Sequence, residues 1–293
     1  FEREYPGDLV EVDHGDSSPF QLYKPKAGGL NDKFFPIHTT SAVLSLMAET
    51  DYQFLPLFTQ DDKKYKVIYE VNENGAGFTA VWQGFQLPGV YREDFISVPY
   101  TTEFQLSDNL KSLSEEPYTD DNGNLLNGKQ KLIKVISHIM KKTGLELQIR
   151  SGINIFETNH TKTASSDPLD QTYIDVACYR DGAEPFTCWE VLEHILRPFG
   201  ARIYQCDNQW QIEEIDRATA TYNFRVFDFN GDYVSNGTFD PIKDIKGTRD
   251  TNRVVMVNQD QSMEVIPAYG KISIKSNFNY VGSIVRGGYE KEN

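Results

Sequence analysis

The sequence predicts an α+β fold that is predominantly β. Three observations point there. Aromatics are abundant, with 16 Tyr and 18 Phe against 4 Met; two runs carry helical periodicity; and alternating apolar segments lie on either side of them. Aromatic side chains fit the pleated, half-buried surface of a strand. The 293 residues give room for two domains, or one large one, with a real core.

The first stretch reads as strands and turns. Asp8 to Val12 alternates polar and apolar residues, the period of a half-buried strand. Gly28-Gly29 and Asn31-Asp32 are turn chemistry. Ala42, Leu44, Leu46 and Ala48 fit period two; the composition would also allow a helix, and the segment is read as a strand. Lys64–Val71 and Phe78–Leu87 flank the Asn72–Gly77 turn as a hairpin, and Ser97–Leu106 is a further strand. The polar run from Glu115 to Gly128 marks a boundary.

Two helices follow. Lys129–Thr143 places Leu132, Ile133, Val135, Ile136, Ile139 and Met140 on one broad apolar face. Lys141 and Lys142 suit the negative end of its dipole, and Gly144 suits the left-handed stop. Leu145–Ile149 then alternates like a strand. The second helix, over 187–198, opens on a capping box of Thr187 and Glu190 and ends at Pro198 and Gly200. Ala201–Gln205 and Trp210–Ile215 form a hairpin across Asp207-Asn208. The two units align: Ile136, His138, Ile139, Met140, Gly144 and Leu147 match Leu192, His194, Ile195, Leu196, Gly200 and Ile203. Between them, Ser151–Asp170 is polar and loop-like. Past Arg217, Thr221–Phe229, Arg253–Val257 and Lys271–Ser276 read as strands. Asn230-Gly231 and Asn236-Gly237 read as turns, and Asp240–Asp250 as a charged connection. The resulting division is a β-rich region over 1–115, an α+β region over 116–216 and a β-rich C-terminal region over 217–293.

The net charge of -14 opposes a direct grip on nucleic acid, which needs clustered Lys and Arg to displace counterions. A solubility charge is the simpler reading, and a conduit that passes DNA without holding it would carry the same sign. Cys178, Cys188 and Cys206 have neither disulfide-framework nor zinc spacing, so reduced, partly buried thiols are expected. No apolar run reaches the roughly 18 residues of a membrane helix, so no membrane span is expected. No signal-peptide pattern opens the sequence, and its start at Phe1 is compatible with a fragment or a processed form.

The sequence offers no catalytic, metal or cofactor site. His14, His38, His138, His160 and His194 do not pair at ligand spacing, and no nucleophile elbow, P-loop or dinucleotide fingerprint occurs. Asp120-Asp121-Asn122-Gly123-Asn124 and Asp228, Asn230 and Asp232 carry calcium-like oxygens but read as Asx-rich turns, without the closing Glu. Glu213-Glu214-Asp216, Asp61-Asp62 and Glu115-Glu116 are carboxylate pairs of the kind a glycosidase uses, but with 43 acidic residues such pairs arise by chance. Trp82, Trp189 and Trp210 would suit a sugar-stacking platform, but each sits in an apolar-periodic segment and reads as core. Asn159-His160-Thr161 and Asn236-Gly237-Thr238 match the glycosylation pattern, which carries weight only in a secretory context.

The ordered motifs resemble a known group. Lys66-Val67-Ile68-Tyr69, Trp82-Gln83-Gly84-Phe85-Gln86-Leu87-Pro88 and Tyr91-Arg92-Glu93 resemble tail proteins from phages and prophages of Bacteroides-like bacteria, of the baseplate hub or tail-tip kind. Phe104 to Leu113 is similar to their strand running into an Asp-Gly-Leu turn, with Asn109 in place of the glycine, and Asn tolerates the left-handed conformation. The unit from Trp189 to Ile215 is similar too, with its hairpin closing on Trp210-Gln211-Ile212. The resemblance covers roughly Leu9 to Ile215. It implies a β-barrel-like, tube-like N-terminal domain joined to an α/β domain. It also implies a ring, commonly a trimer, that docks other tail proteins, and no catalytic residue. Such a protein would be assembled in the bacterial cytoplasm and reside in the virion tail. A second reading is a surface carbohydrate-binding or glycan-processing protein of a gut bacterium, supported by the aromatic content, the pI near 4.8 and the loop-borne Asp and Asn. A third, a tail-associated peptidoglycan hydrolase, has no visible nucleophile, metal set or acid pair.

Overall fold

The structure, a computed structural model, describes residues 12, 19–23, 34–72, 77–89, 96–215 and 221–240. The fold is α+β and predominantly β, with a curled half-barrel sheet. Its first sheet takes β1 (Phe20–Tyr23), β2 (Ser41–Ala48), β3 (Lys66–Asn72), β4 (Phe78–Gln86) and β5 (Tyr100–Ser107), in the order β1-β2-β5-β4-β3 and antiparallel throughout. Next come β6 (Lys129–Lys131), α1 (Leu132–Lys141), β7 (Gln148–Ser151), α2 (Pro168–Gln171) and β8 (Tyr173–Asp175). The chain continues through β9 (Arg180–Asp181), β10 (Glu184–Pro185), α3 (Cys188–Leu196), β11 (Ala201–Cys206) and β12 (Gln209–Glu214), then β13 (Tyr222–Phe227) and β14 (Tyr233–Phe239). The second large sheet runs β11-β12-β7-β13-β14, with β12 and β7 parallel and its other pairs antiparallel.

Local chemistry explains most of these elements. β5 alternates buried and exposed residues because Tyr100, Thr102, Phe104 and Leu106 share its inner face. α1 buries Ile133, Ile136 and Ile139 completely, each contributing about 1.5–3 kcal/mol of apolar burial. Gly144 stops it at φ +83° and Gly200 ends the second unit at φ +54°, both in the left-handed region. The predicted capping box of α3 forms both of its bonds: Glu190 N donates to Thr187 Oγ1, and Thr187 N donates to Glu190 Oε2. Asp207 and Asn208 turn the β11–β12 hairpin at φ +50° and +57°. Asn109 takes the left-handed conformation at φ +58°.

Two expectations fail. The first helix begins at Leu132, because Lys129–Lys131 pairs antiparallel with β8 and the Lys131 ammonium meets Asp170 at 2.8 Å. Asn236-Gly237 is not a turn but the middle of β14, paired with Arg225 and Phe224. Glycine is needed there because the Phe224 ring lies over it, 2.6 Å from where a Cβ would stand. The loop 115–128 also packs inward, burying Tyr118 and bridging Pro117 to Thr187. Of the strand expected at Asp8–Val12 only Val12 is described, and the strands expected at Arg253–Val257 and Lys271–Ser276 and the turns at Gly28-Gly29 and Asn31-Asp32 lie outside the described residues.

Two apolar clusters result. One lies against the first sheet and includes Phe54, Trp82, Tyr100 and Phe104. The larger one joins α1, α3 and the inner face of the second sheet, and it also takes in Ile37 and Phe85 from the N-terminal part. β4 therefore feeds both, with Trp82 in one and Phe85 in the other. Gly84 separates them, since a Cβ there would run into the Trp82 ring and the Ser107 carbonyl. The sheets are tied by hydrogen bonds. The Gln205 side chain accepts from Gln83 N and donates to Gln83 O, both at 2.8 Å. Asn208 N donates to Val81 O at 2.9 Å, and Ile203 exchanges bonds with Pro36 and His38. Replacing Gln205 with Leu strands the Gln83 N–H and C=O without partners, at about 1–3 kcal/mol for each. Urea unfolding followed by tryptophan fluorescence is expected to show a lowered midpoint in Q205L. An unchanged midpoint would mean that water satisfies both groups.

Candidate functional site

The arrangement most suited to a ligand lies on the outer face of the second sheet, away from the helices. Alternation along β7 sends Ile149 and Ser151 inward and Gln148 and Arg150 outward. The register places Gln211 on one side of Arg150 and Val226 on the other. Two glycines shape this face. A Cβ at Gly152 would stand 2.7 Å from the Tyr222 ring, and one at Gly237 would stand 2.6 Å from the Phe224 ring, so both rings lie close over bare backbone. The Arg150 guanidinium carbon sits 3.7 Å from the Phe224 ring centre and 5.1 Å from that of Phe239. Phe239 also packs against Tyr222, with ring centres 5.3 Å apart.

The guanidinium lies over the Phe224 ring, and its Nε is sealed from solvent without a hydrogen-bond acceptor among the described residues. Arg202, on the same face, is paired with Glu213 at 2.5 Å, and Arg197 meets Glu193 at 3.1 Å. Gln148 and Gln209 share an amide hydrogen bond of 3.0 Å beside Arg150. The sheet ends nearby on β14, which pairs with β13 alone among the described residues. Its seven residues carry no charge, and Tyr233, Val234 and Phe239 are exposed.

The residues weighed from the sequence do not converge. Glu213 and Glu214 point to opposite faces of β12: Glu213 pairs with Arg202, while Glu214 is buried and accepts from Asn154 N at 2.6 Å. Asp216 lies outside the described residues. Asp61 accepts from Lys63 N, and Glu116 faces the Lys63 ammonium at 3.3 Å. The calcium-like runs are Asx turns, as expected. Asp120 accepts from Asn122 N and Asn124 N, and Asp228 from Asn230 N and Asp232 N. These bonds hold both carboxyls below the usual range, Asp120 mainly through Asn124 and Asp228 mainly through the Asp232 N–H. No cluster of three metal-ligating side chains occurs among the described residues.

The histidines are spread out. His38 contacts the Phe35 carbonyl, and His160 accepts from Glu157 N. His138 contacts the Thr119 carbonyl and meets Tyr118 edge-on. His194 packs between Tyr179 and Phe186. His14 lies outside the described residues. The tryptophans also stand apart: Trp82 and Trp210 are buried in different clusters, and half-buried Trp189 meets Phe35. The three cysteines form no disulfide among the described residues, with Cys188 buried and Cys178 exposed. No helix among the described residues is long and apolar enough to cross a membrane.

Sequence reading missed three buried charged residues. Asp108 accepts from Thr40 N, Thr40 Oγ1 and Leu110 N, and Thr40 Oγ1 in turn accepts from Trp82 Nε1 at 2.8 Å. Asp167 caps α2 through Leu169 N, beside the Ser151 hydroxyl and within the field of Arg225. Arg225, 1% exposed, donates to the carbonyls of Ile153 and Ala164 at 3.0 Å and to Asn154 Oδ1 at 2.8 Å. A charge inside an otherwise aromatic strand was the available signal for Arg225. Asp167 before Pro168 and Asp108 before Asn109 carry local cap and turn signals, but the burial of both comes from distant segments.

Burial pushes both carboxyls up from 3.8 to about 6, against the opposing pull of their donors. Each folded-state value lies above the unfolded one, so the native state holds more protons between about pH 4 and pH 6. The unfolding free energy therefore falls as pH rises through that window, by about 3 kcal/mol for each group. Repulsion within an acidic chain acts in the same direction. Urea midpoints measured across this range are expected to decrease with rising pH, and less steeply in D167N. An unchanged slope in the variant would assign the linkage to other groups.

Comparison of the chain with protein-family models, with curated proteins and with solved structures finds no match.

Proposed function

We propose that this chain is a structural component of a phage or prophage tail, of the hub or tail-tip kind. It acts without catalysis, by assembling into a ring and docking neighbouring tail proteins. Beside the motif resemblance, the observation that carries the reading is the edge of the second sheet. A strand edge is a row of unused backbone donors and acceptors, and proteins commonly blunt such edges with charge or proline. β14 has neither, and its side chains are largely exposed. In a chain of net charge -14, an uncharged strip is where acidic neighbours approach with least repulsion.

A second reading, a surface carbohydrate-binding protein, is favoured by one observation, the stacked arginine and aromatic rings on the outer face of the same sheet.

Light scattering over a concentration series is expected to give a trimer or larger ring. Val234→Lys places a charge on the β14 edge and is expected to shift that species toward the monomer, with little change in unfolding midpoint because Val234 is 50% exposed. A wild-type chain that stays monomeric at every concentration would overturn the assembly reading.

A further inference from the structure

We infer that the outer face of the second sheet is a binding site for a carboxylate-bearing saccharide, with Arg150 as the group that receives the carboxylate. The inference rests on the carbohydrate-binding reading and adds its site and ligand class.

Three features together point to such a ligand. The first is an unsatisfied guanidinium. Arg150 is half-buried, its sealed Nε has no acceptor among the described residues, and no carboxylate among those residues is paired with it. A guanidinium presents planar pairs of N–H donors matched to a carboxylate, and its contact with the Phe224 ring at 3.7 Å restrains it.

The second feature is preorganisation. Gly152 and Gly237 leave the space into which the Tyr222 and Phe224 rings settle, so the surface under the arginine exists before any ligand arrives.

The third feature is the chemistry of the surroundings. Gln148 and Gln209 share the face with Arg150, and although bonded to each other each amide keeps further donor or acceptor capacity for ring hydroxyls. Phe239, 37% exposed, offers an apolar edge to the C–H face of a sugar ring. Glu213 is engaged by Arg202, which leaves the carboxylate of a ligand free of a direct rival at Arg150.

The test uses the full chain, with sodium D-glucuronate as probe and D-glucose at matched ionic strength as its neutral counterpart. Thermal unfolding and titration calorimetry are the readouts. Glucuronate is expected to raise the unfolding temperature saturably while glucose does not, since a ligand that binds only the folded state stabilises it by mass action. R150Q is expected to weaken glucuronate binding about tenfold or more, the loss of a charge-assisted hydrogen bond. F239A leaves the guanidinium in place and is expected to weaken binding severalfold, which keeps the inference testable should R150Q misfold. Equal shifts from glucose and glucuronate would overturn the inference while leaving a neutral-glycan reading standing. Glucuronate binding unchanged in both variants would overturn it, as would an equal shift from sodium acetate or binding of an oligoglutamate peptide in place of the sugar. No shift with any sugar would remove both this inference and the carbohydrate-binding reading, without touching the assembly proposal.

Discussion

The tertiary structure depends on the pairing of one side chain with one stretch of backbone. The Gln205 amide meets the N–H and C=O of Gln83, 122 residues away, in the geometry of a ladder rung. Both groups are buried, so each bond forms where water cannot replace it. This rung places β4 between two apolar clusters. Trp82 can then close the first while Phe85 enters the second, where it packs against Gly144 at the end of α1. The left-handed stop of a helix and the docking of a separate sheet thus share one contact, and Gly144 is constrained twice, by its dihedral and by its neighbour.

The second constraint is the handling of buried charge. Arg225 takes its acceptors from the polar segment between β7 and α2, and that segment holds its course by wrapping the guanidinium. The cost of burying the charge is offset by fixed carbonyl dipoles and by Asp167 nearby. Asp108 does the same for the first sheet, since its carboxylate joins Thr40 to Leu110 and, through Thr40, reaches Trp82. The donors around each are N–H and O–H groups of the surrounding fold.

The edge and the face of the second sheet are geometrically independent. A strand added to β14 would extend the sheet in its own plane, whereas a ligand on Arg150 would approach perpendicular to it. One sheet can therefore serve assembly and recognition together. The link between them is Phe239, which ends the edge strand and also flanks the arginine.

The sequence by itself determined the α+β class, the capped and glycine-stopped helices, and the hairpins at 66–86 and 201–214. Each of these is set by residues within a few positions of one another, through a period of two or 3.6, a cap or a tight turn. It misread Asn236-Gly237, because a dipeptide that favours turns is also what a strand needs when an aromatic ring must lie across it. Only the tertiary structure decided that β13 and β14 continue the sheet of β7 and β12, that Gln205 couples two sheets, and that Arg150 rests on rings contributed from beyond residue 221. The reason is physical: these features come from side chains and backbone brought together across long separations. Which of the many Phe, Gln and Arg residues meet is settled by sheet order and register, not by local pattern.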